Sequence, residues 1–521
     1  MTEHIKHLRV LLVVAILSAV GCGAANEPEA AFTTVAYELP VEAAPGLPPE
    51  FNTEEYDRIY ENEFLDALSN PLSTFSIDVD TASYSNVRRF INNSQLPPQD
   101  AVRIEEFINY FSYDYAQPQD EHPFSITTEL SDAPWNPAHK LVQVGLQGRD
   151  IPKAQLPDSN LVFLLDVSGS MDQPNKLPLV KQGFRLLVEQ LYEKDSVAIV
   201  VYAGAAGLVL PPTSGDQKAV ISQAIDNLEA GGSTAGGEGI ELAYRVAKEN
   251  FIPGGNNRVI LATDGDFNVG PSSDAELVRL IEQKRDEGVF LTILGFGSGN
   301  YKDSKMEQLA DKGNGNYAYL DSIREANKVL VSELAGTLLT IAKDVKIQIE
   351  FNPAKVKAYR LIGYENRLLA KEDFADDTKD AGELGAGHSV TALYEIIPVG
   401  ADEAIRPTPE LKYQSSELSP DAEQTDELMT VKLRYKLPDG EESILMAHPV
   451  LDAPIPLDGS SDDFRFAAAV AEFGLLLRDS PFKADGTYAQ VLELAKGSQG
   501  QDEAGYRAEF IRLVETVDLL Q

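Results

Sequence analysis

The stretch LLDVSGSMDQ, residues 164–173, decides the fold. It closes NLVFLLDV (160–167), a near-continuous apolar run of the kind that forms a strand buried on both faces of a parallel sheet. The run ends on Asp166, and two serines follow at alternate positions, Ser168 and Ser170. Helical spacing then takes over at Leu177, Val180, Phe184, Leu187, Val188 and Leu191. The same alternation continues downstream. SVAIVVYA (196–203), RVILATDG (258–265), VFLTILGFG (289–297) and YAYL (317–320) read as strands. Between them, helices are predicted around Gln217–Leu228, Gly237–Glu249 and Asp303–Lys312, with one more opened by a capping box of Ser273 and Glu276. Such alternation over 155–340 predicts a doubly wound, Rossmann-like α/β domain.

In an open α/β sheet, ligands bind at the carboxyl edge of the strands. Three loops meet there. The first carries Asp166, Ser168 and Ser170; the second, EAGGSTAGGEG (229–239), carries Thr234; the third, LATDGDFN (261–268), carries Asp264. These side chains offer oxygen alone, which suits a hard cation such as Mg2+, with Mn2+ or Ca2+ as alternatives, rather than zinc or copper. Glycines at 169, 231, 232 and 265 let the loops approach an ion closely.

Asp-Val-Ser-Gly-Ser, a threonine in a glycine-rich loop and Thr-Asp-Gly after a strand together resemble the metal-ion-dependent adhesion site of von Willebrand factor type A (VWA) domains. All five positions match: Asp166, Ser168, Ser170, Thr234 and Asp264. The resemblance implies that the serines and the threonine contact the metal directly or through water. It implies that the aspartates act largely through waters, and that an acidic residue of a partner protein completes the sphere. The flanks STFSIDVDTASYSNVRRFI (73–91), AVRIEEFINYF (101–111), TDGDFNVG (263–270) and GAGHSVTALYE (385–395) resemble a family of bacterial lipoproteins. In that family a specific N-terminal domain precedes the VWA domain and a C-terminal domain of unknown function follows it.

The N-terminus carries Lys6 and Arg9, an apolar run from Val10 to Leu17, and then Ser18-Ala19-Val20-Gly21-Cys22. This pattern predicts an export signal over 1–21, its apolar run being too short to span a bilayer. Ala-Val-Gly-Cys resembles the bacterial lipobox, which makes Cys22, the only cysteine, the lipidation site and membrane anchor. Gly23 rather than aspartate after it points to the outer membrane, facing the periplasm or the cell surface. Residues 22–70 read as the lipidated start and a flexible Ala-, Glu- and Pro-rich linker, with a short helix near Glu61–Leu68. Residues 71–152 read as a mixed α+β domain. Beyond 340 the period changes to strict alternation in VKIQIEF (345–351), VTALYEII (390–397) and MTVKLRY (429–435). This predicts a β-sandwich over 341–460, followed by amphipathic helices over 461–521.

Composition narrows the partners. Forty-four basic against 82 acidic residues give a net charge of −38, a surface that repels nucleic acid and anionic lipid. Other motifs fail on spacing. In DVDTAS (78–83), Ala82 stands where a haloacid-dehalogenase threonine belongs, which leaves a strand-to-helix cap and, in Asp78 and Asp80, a weak second cation site. Asp264, Asp266, Asn268 and Gly270 begin like an EF-hand, but position twelve is Ala275. Gly382, Gly387, His388 and Ser389 have Walker A spacing with histidine in place of lysine, so no nucleotide is expected. With no His-Glu-x-x-His and no Gly-x-Ser-x-Gly, no enzyme is expected. The sequence thus describes an envelope-anchored adhesion or scaffold protein that engages another envelope or extracellular protein through Mg2+. A metal-independent scaffold and a metal-dependent hydrolase are the alternatives.

Overall fold

Ser159–Asp166 is buried at every position because it lies inside a six-stranded sheet with helices on both faces. The computed structural model describes residues 54–233, 236–265, 274–299, 301–405 and 418–521. The sheet runs Tyr317–Leu320, Phe290–Phe296, Asn256–Thr263, Ser159–Asp166, Ser196–Tyr202 and Ala206–Ser214. All neighbours are parallel except the last pair. One face packs on Leu177–Glu189, Lys218–Asp226 and the helical stretch from Ile323 to Leu338, with Phe163, Phe184 and Leu330 in its core. The other packs on Gly236–Glu249, Asp274–Asp286 and Asp303–Lys312, around Leu164, Tyr244 and Ile293. Each fully buried aliphatic or aromatic side chain contributes roughly 1.5–3 kcal/mol, so two such faces hold the domain without disulfides. The α/β expectation holds.

Ala206–Ser214 was not foreseen as a strand. It carries Pro211 and Pro212 and is largely exposed. Proline cannot donate to a ladder, so it is confined to edge strands, where it also blocks further pairing.

The flanks differ more from expectation. The sequence divides them into a domain at 71–152, a sandwich at 341–460 and helices at 461–521. In the structure, strands from both sides of the α/β domain alternate within the same sheets. One sheet orders Leu65–Asp66, Val356–Ile362, Ser389–Pro398, Asn136–Gly148 and Phe124–Ala133, all antiparallel. The second orders Gly382–Gly385, Thr340–Phe351, Glu427–Lys436 and Ile444–Leu451, and Leu72–Ser76 adds to Thr340–Phe351. Phe75, Val142, Ile349, Tyr394 and Val431 share the core between them. The α/β domain is therefore an insertion into one composite sandwich. The physical reason is that a hairpin with one apolar face is marginal by itself; Phe124–Ala133 with Asn136–Gly148 needs the strands after residue 340 to cover it.

Residues 54–70, read as linker, are packed against the body, and the helix expected near Glu61–Leu68 is instead the short strand Leu65–Asp66. Its backbone pairs with Tyr359 and Ala358, while the Asn62 amide donates to the carbonyls of Leu361 and Gly363; a neighbouring strand supplies the partners a lone helical turn would lack. The helix Asp462–Leu477, expected to be amphipathic, is buried almost all round, packing with Ile104, Phe107, Phe111 and Phe510. A helix apolar on every side belongs inside. Among the described residues, no helix is long and apolar enough to cross a membrane.

Candidate metal centre

Asp166 ends the central strand and is fully buried. Its Oδ1 accepts the Ser168 backbone N–H at 2.8 Å, an Asx turn that fixes the first loop. Ser168 Oγ and the exposed Ser170 Oγ lie 3.0 Å apart. The second loop is pinned to the first by two backbone bonds, Gly169 N–H to the Gly232 carbonyl at 3.0 Å and Gly231 N–H to the Val167 carbonyl at 2.7 Å. Gly232 has φ +84° and Gly265, after Asp264, has φ +98°, values that favour glycine. Asp264 is 1% exposed. Four of the five expected ligands, Asp166, Ser168, Ser170 and Asp264, are thus gathered at the carboxyl edge. Thr234 lies outside the described residues, as do Asp266, Asn268 and the lipidation candidate Cys22.

The electrostatics suit a cation. Burial pushes the Asp166 carboxyl up to about 6; hydrogen bonds from Ser168 oppose this and the nearby Asp264 charge adds to it. Asp166 Oδ2 is buried and meets no donor in hydrogen-bond geometry, although the Tyr202 hydroxyl interacts with the same carboxylate. A buried carboxylate oxygen without a donor is costly unless something positive takes its place. The ligand atoms that Asp166, Ser168, Ser170 and Asp264 offer are oxygens alone, so they fit a hard divalent ion.

The sequence reading missed Lys176. Its Nζ donates to Asp264 Oδ2 at 2.9 Å, and the residue is 4% exposed. The stem passes over Gly297, φ +77°, where an added Cβ would overlap it. Gly297 is thereby the floor on which this lysine lies. A signal was available: Lys176 is the N-cap of Leu177–Glu189, and a cation at a helix N-terminus opposes the dipole, so another partner must hold it there.

The second cation site expected at Asp78 and Asp80 is an ion-pair network instead. Asp78 Oδ2 accepts from Arg367 Nε at 3.0 Å, and Asp80 Oδ1 accepts the Tyr317 backbone N–H at 2.8 Å. Arg367 also reaches Glu307 and Asp311, and Arg103 pairs with Glu106 and Asp303. Carboxylate oxygens of Asp78, Glu106 and Glu307 lie within 4.8 Å of one another. Burial pushes Glu106 up to about 8 against the pull of Arg103. The Arg103 and Arg367 guanidiniums already pair with these carboxylates. The helix after DVDTAS is not capped by the Thr81 side chain; Glu106 Oε2 accepts the Ser83 N–H instead. At the rejected Walker-like stretch a strand, Ser389–Pro398, follows, so no helix N-terminus is offered to a phosphate.

Comparisons with known proteins place the chain in a family. Three family models match: "von Willebrand factor" at 50–143, "von Willebrand factor type A domain" at 160–331, and "Uncharacterized protein YfbK, C-terminal" at 336–520. The chain is 46% identical over 476 residues to uncharacterized protein YfbK of Escherichia coli K12, covering 89% of this chain and 81% of that protein. The chain belongs to the YfbK family. It is also 30% identical over 171 residues to uncharacterized protein sll0103 of Synechocystis, covering 32% of this chain and 39% of that one. Among solved structures it is similar to a von Willebrand factor type A protein from Catenulispora acidiphila. The identity there is 16%, the TM-score 0.41, and coverage is 76% of this chain and 91% of the other. The family is thus a VWA domain with a YfbK-type C-terminal region, as the motifs implied.

Proposed function

We propose that this YfbK-family chain is a lipid-anchored protein of the bacterial envelope, facing the periplasm or the cell surface. Its VWA domain binds a divalent cation, Mg2+ first, and through it an acidic residue of another protein. The observation that carries this reading is the pair of buried carboxylates, Asp166 and Asp264, brought together with the Ser168 and Ser170 hydroxyls at the sheet's ligand-binding edge. Asp166, Ser168 and Ser170 would hold the ion on the first loop, with Asp264 opposite. A hard cation there supplies positive charge and an open position for a carboxylate. The first turn, fixed by the Asp166–Ser168 bond, keeps the Ser170 hydroxyl presented to solvent beside the buried Ser168 hydroxyl. We assign binding rather than turnover, because the edge brings together carboxylates, hydroxyls and Lys176 with no described histidine or cysteine beside them.

The test is capture from solubilised envelopes by the full chain, wild type beside Ser170→Ala and Asp264→Ala, each in Mg2+ and in EDTA. Ser170 is exposed, so its truncation leaves the fold intact. A protein retained only by wild type with Mg2+ is the expected result. Equal capture in every arm would remove the metal and leave a metal-independent scaffold. Anchoring is tested separately: Cys22→Ala should lose incorporation of labelled palmitate and release the chain from membranes.

A further inference from the structure

The buried pair at the metal centre has a consequence for its charge. Asp166 and Asp264 bring two negative charges, and Lys176 returns one positive charge to the same edge. The lysine is not a surface accident. It is 4% exposed, it occupies a helix N-cap where the dipole disfavours it, and its stem lies on a glycine whose backbone has φ +77°. The backing turn is itself held, since Glu54 Oε1 accepts the Gly299 N–H at 2.8 Å while Glu54 pairs with Arg89 at 2.9 Å.

We propose that Lys176 is the resident cation of this centre: it holds Asp264 before a divalent ion enters, weakens that ion's binding, and leaves the loaded centre one positive charge in excess, which selects a carboxylate as the partner's ligand. This rests on the metal reading above and deepens it. With two carboxylates and no lysine, a divalent ion is already neutralised and gains little from a further anion. With Lys176 the described side chains and the ion sum to +1, and one carboxylate brings that sum to neutrality. At an effective dielectric near 20, a unit charge a few ångström from a divalent ion shifts its affinity by roughly tenfold or more.

The experiment measures Mn2+ binding to the full chain by loss of the free-ion electron paramagnetic resonance signal, with thermal unfolding in parallel. Wild type, Lys176→Met and Lys176→Gln are compared; the glutamine keeps a donor on Asp264 and so retains the fold. Both variants are expected to bind Mn2+ at least tenfold more tightly than wild type, whereas Lys176→Arg keeps the wild-type value. Acetate, titrated against the Mn2+-loaded chains, is expected to bind the two neutral variants more weakly than wild type. A lysine that only braces the fold would weaken both affinities together. Mn2+ binding unchanged or weaker in both neutral variants, with wild type binding, overturns this inference and leaves the metal reading standing. No Mn2+ binding by any chain overturns both. Equal acetate affinity in all chains overturns the carboxylate selection.

Discussion

Glu472 offers the sharpest test of how burial sets stability in this protein. It lies in the helix Asp462–Leu477 and is 0% exposed. Oε1 accepts the Thr487 N–H at 3.0 Å, while Oε2 is buried without a hydrogen-bond partner. Burial pushes the carboxyl from its ordinary 4.5 up to about 7. The folded state therefore binds the proton more tightly than the unfolded one. The associated stability is fully present below pH 4.5 and is lost as pH rises from there through 7. At about 1.36 kcal/mol per tenfold in proton affinity, the loss reaches about 3 kcal/mol at pH 8. Glu472→Gln is isosteric with the neutral acid and keeps the acceptor for Thr487. It should match wild type at pH 4.5 and exceed it by about 3 kcal/mol at pH 8. Urea unfolding of both chains at the two pH values reads the difference directly, and comparing variants cancels every other carboxylate that titrates. A difference that does not change between pH 4.5 and 8 would refute the reasoning, as would a glutamine variant less stable at pH 8.

Three further outcomes follow from the packing. Arg88 bonds Asp321 at 2.6 Å, Glu325 at 2.7 Å and Glu509 at 2.9 Å, so Arg88→Met strands buried carboxylates and should cost about 3–5 kcal/mol in urea unfolding; a loss below about 1 kcal/mol would mean the network is solvated. Gly385→Ala would set a Cβ against the Gly336 carbonyl, where backbone must move, and should lower stability by at least about 1–3 kcal/mol, read as a lower melting temperature. Gly297→Ala would push the Lys176 stem aside and should move Mn2+ affinity in the same direction as Lys176→Met; an unchanged affinity would show that the turn does not seat the lysine.

The central domain was legible because its signals are local. A strand buried on both faces writes a continuous apolar run, and residues 160–167 carry one. The first and third metal loops were legible for the same reason, since strand ends fix which residues stand at the edge. Lys176 was not, because its partner Asp264 is 88 residues away and a single lysine before an apolar helix reads as a solvated charge. The flanks were misdivided because alternation reveals a half-buried strand but not its neighbour. Ser389–Pro398 pairs Val356–Ile362 on one side and Asn136–Gly148 on the other; nothing in its own residues distinguishes a partner before the inserted domain from one after it.

The insertion bears on how the metal edge is supported. A six-stranded open sheet has two edges that could recruit foreign strands. Ala206–Ser214 guards one with its prolines. The flank closes the other: Ala82–Asn92 packs on Tyr317–Leu320, Asp80 Oδ1 takes the Tyr317 N–H, and Arg88 reaches Asp321 just beyond the strand. The chain entering the body then crosses the VWA domain at the connection after Phe290–Phe296, where Glu54 holds Gly299, Glu55 N–H donates to the Tyr301 carbonyl, and Lys302 pairs with Glu55 at 3.1 Å. Glu54, Gly299, Gly297, Lys176 and Asp264 form a continuous series of contacts from the flank to a candidate ligand. A binding site keeps its geometry when the residues behind its ligands are themselves fixed. In this chain that support comes from the same segment that leads back toward Cys22, so a variant that frees Glu54, such as Arg89→Met, should loosen the seating of Lys176 without touching the metal loops.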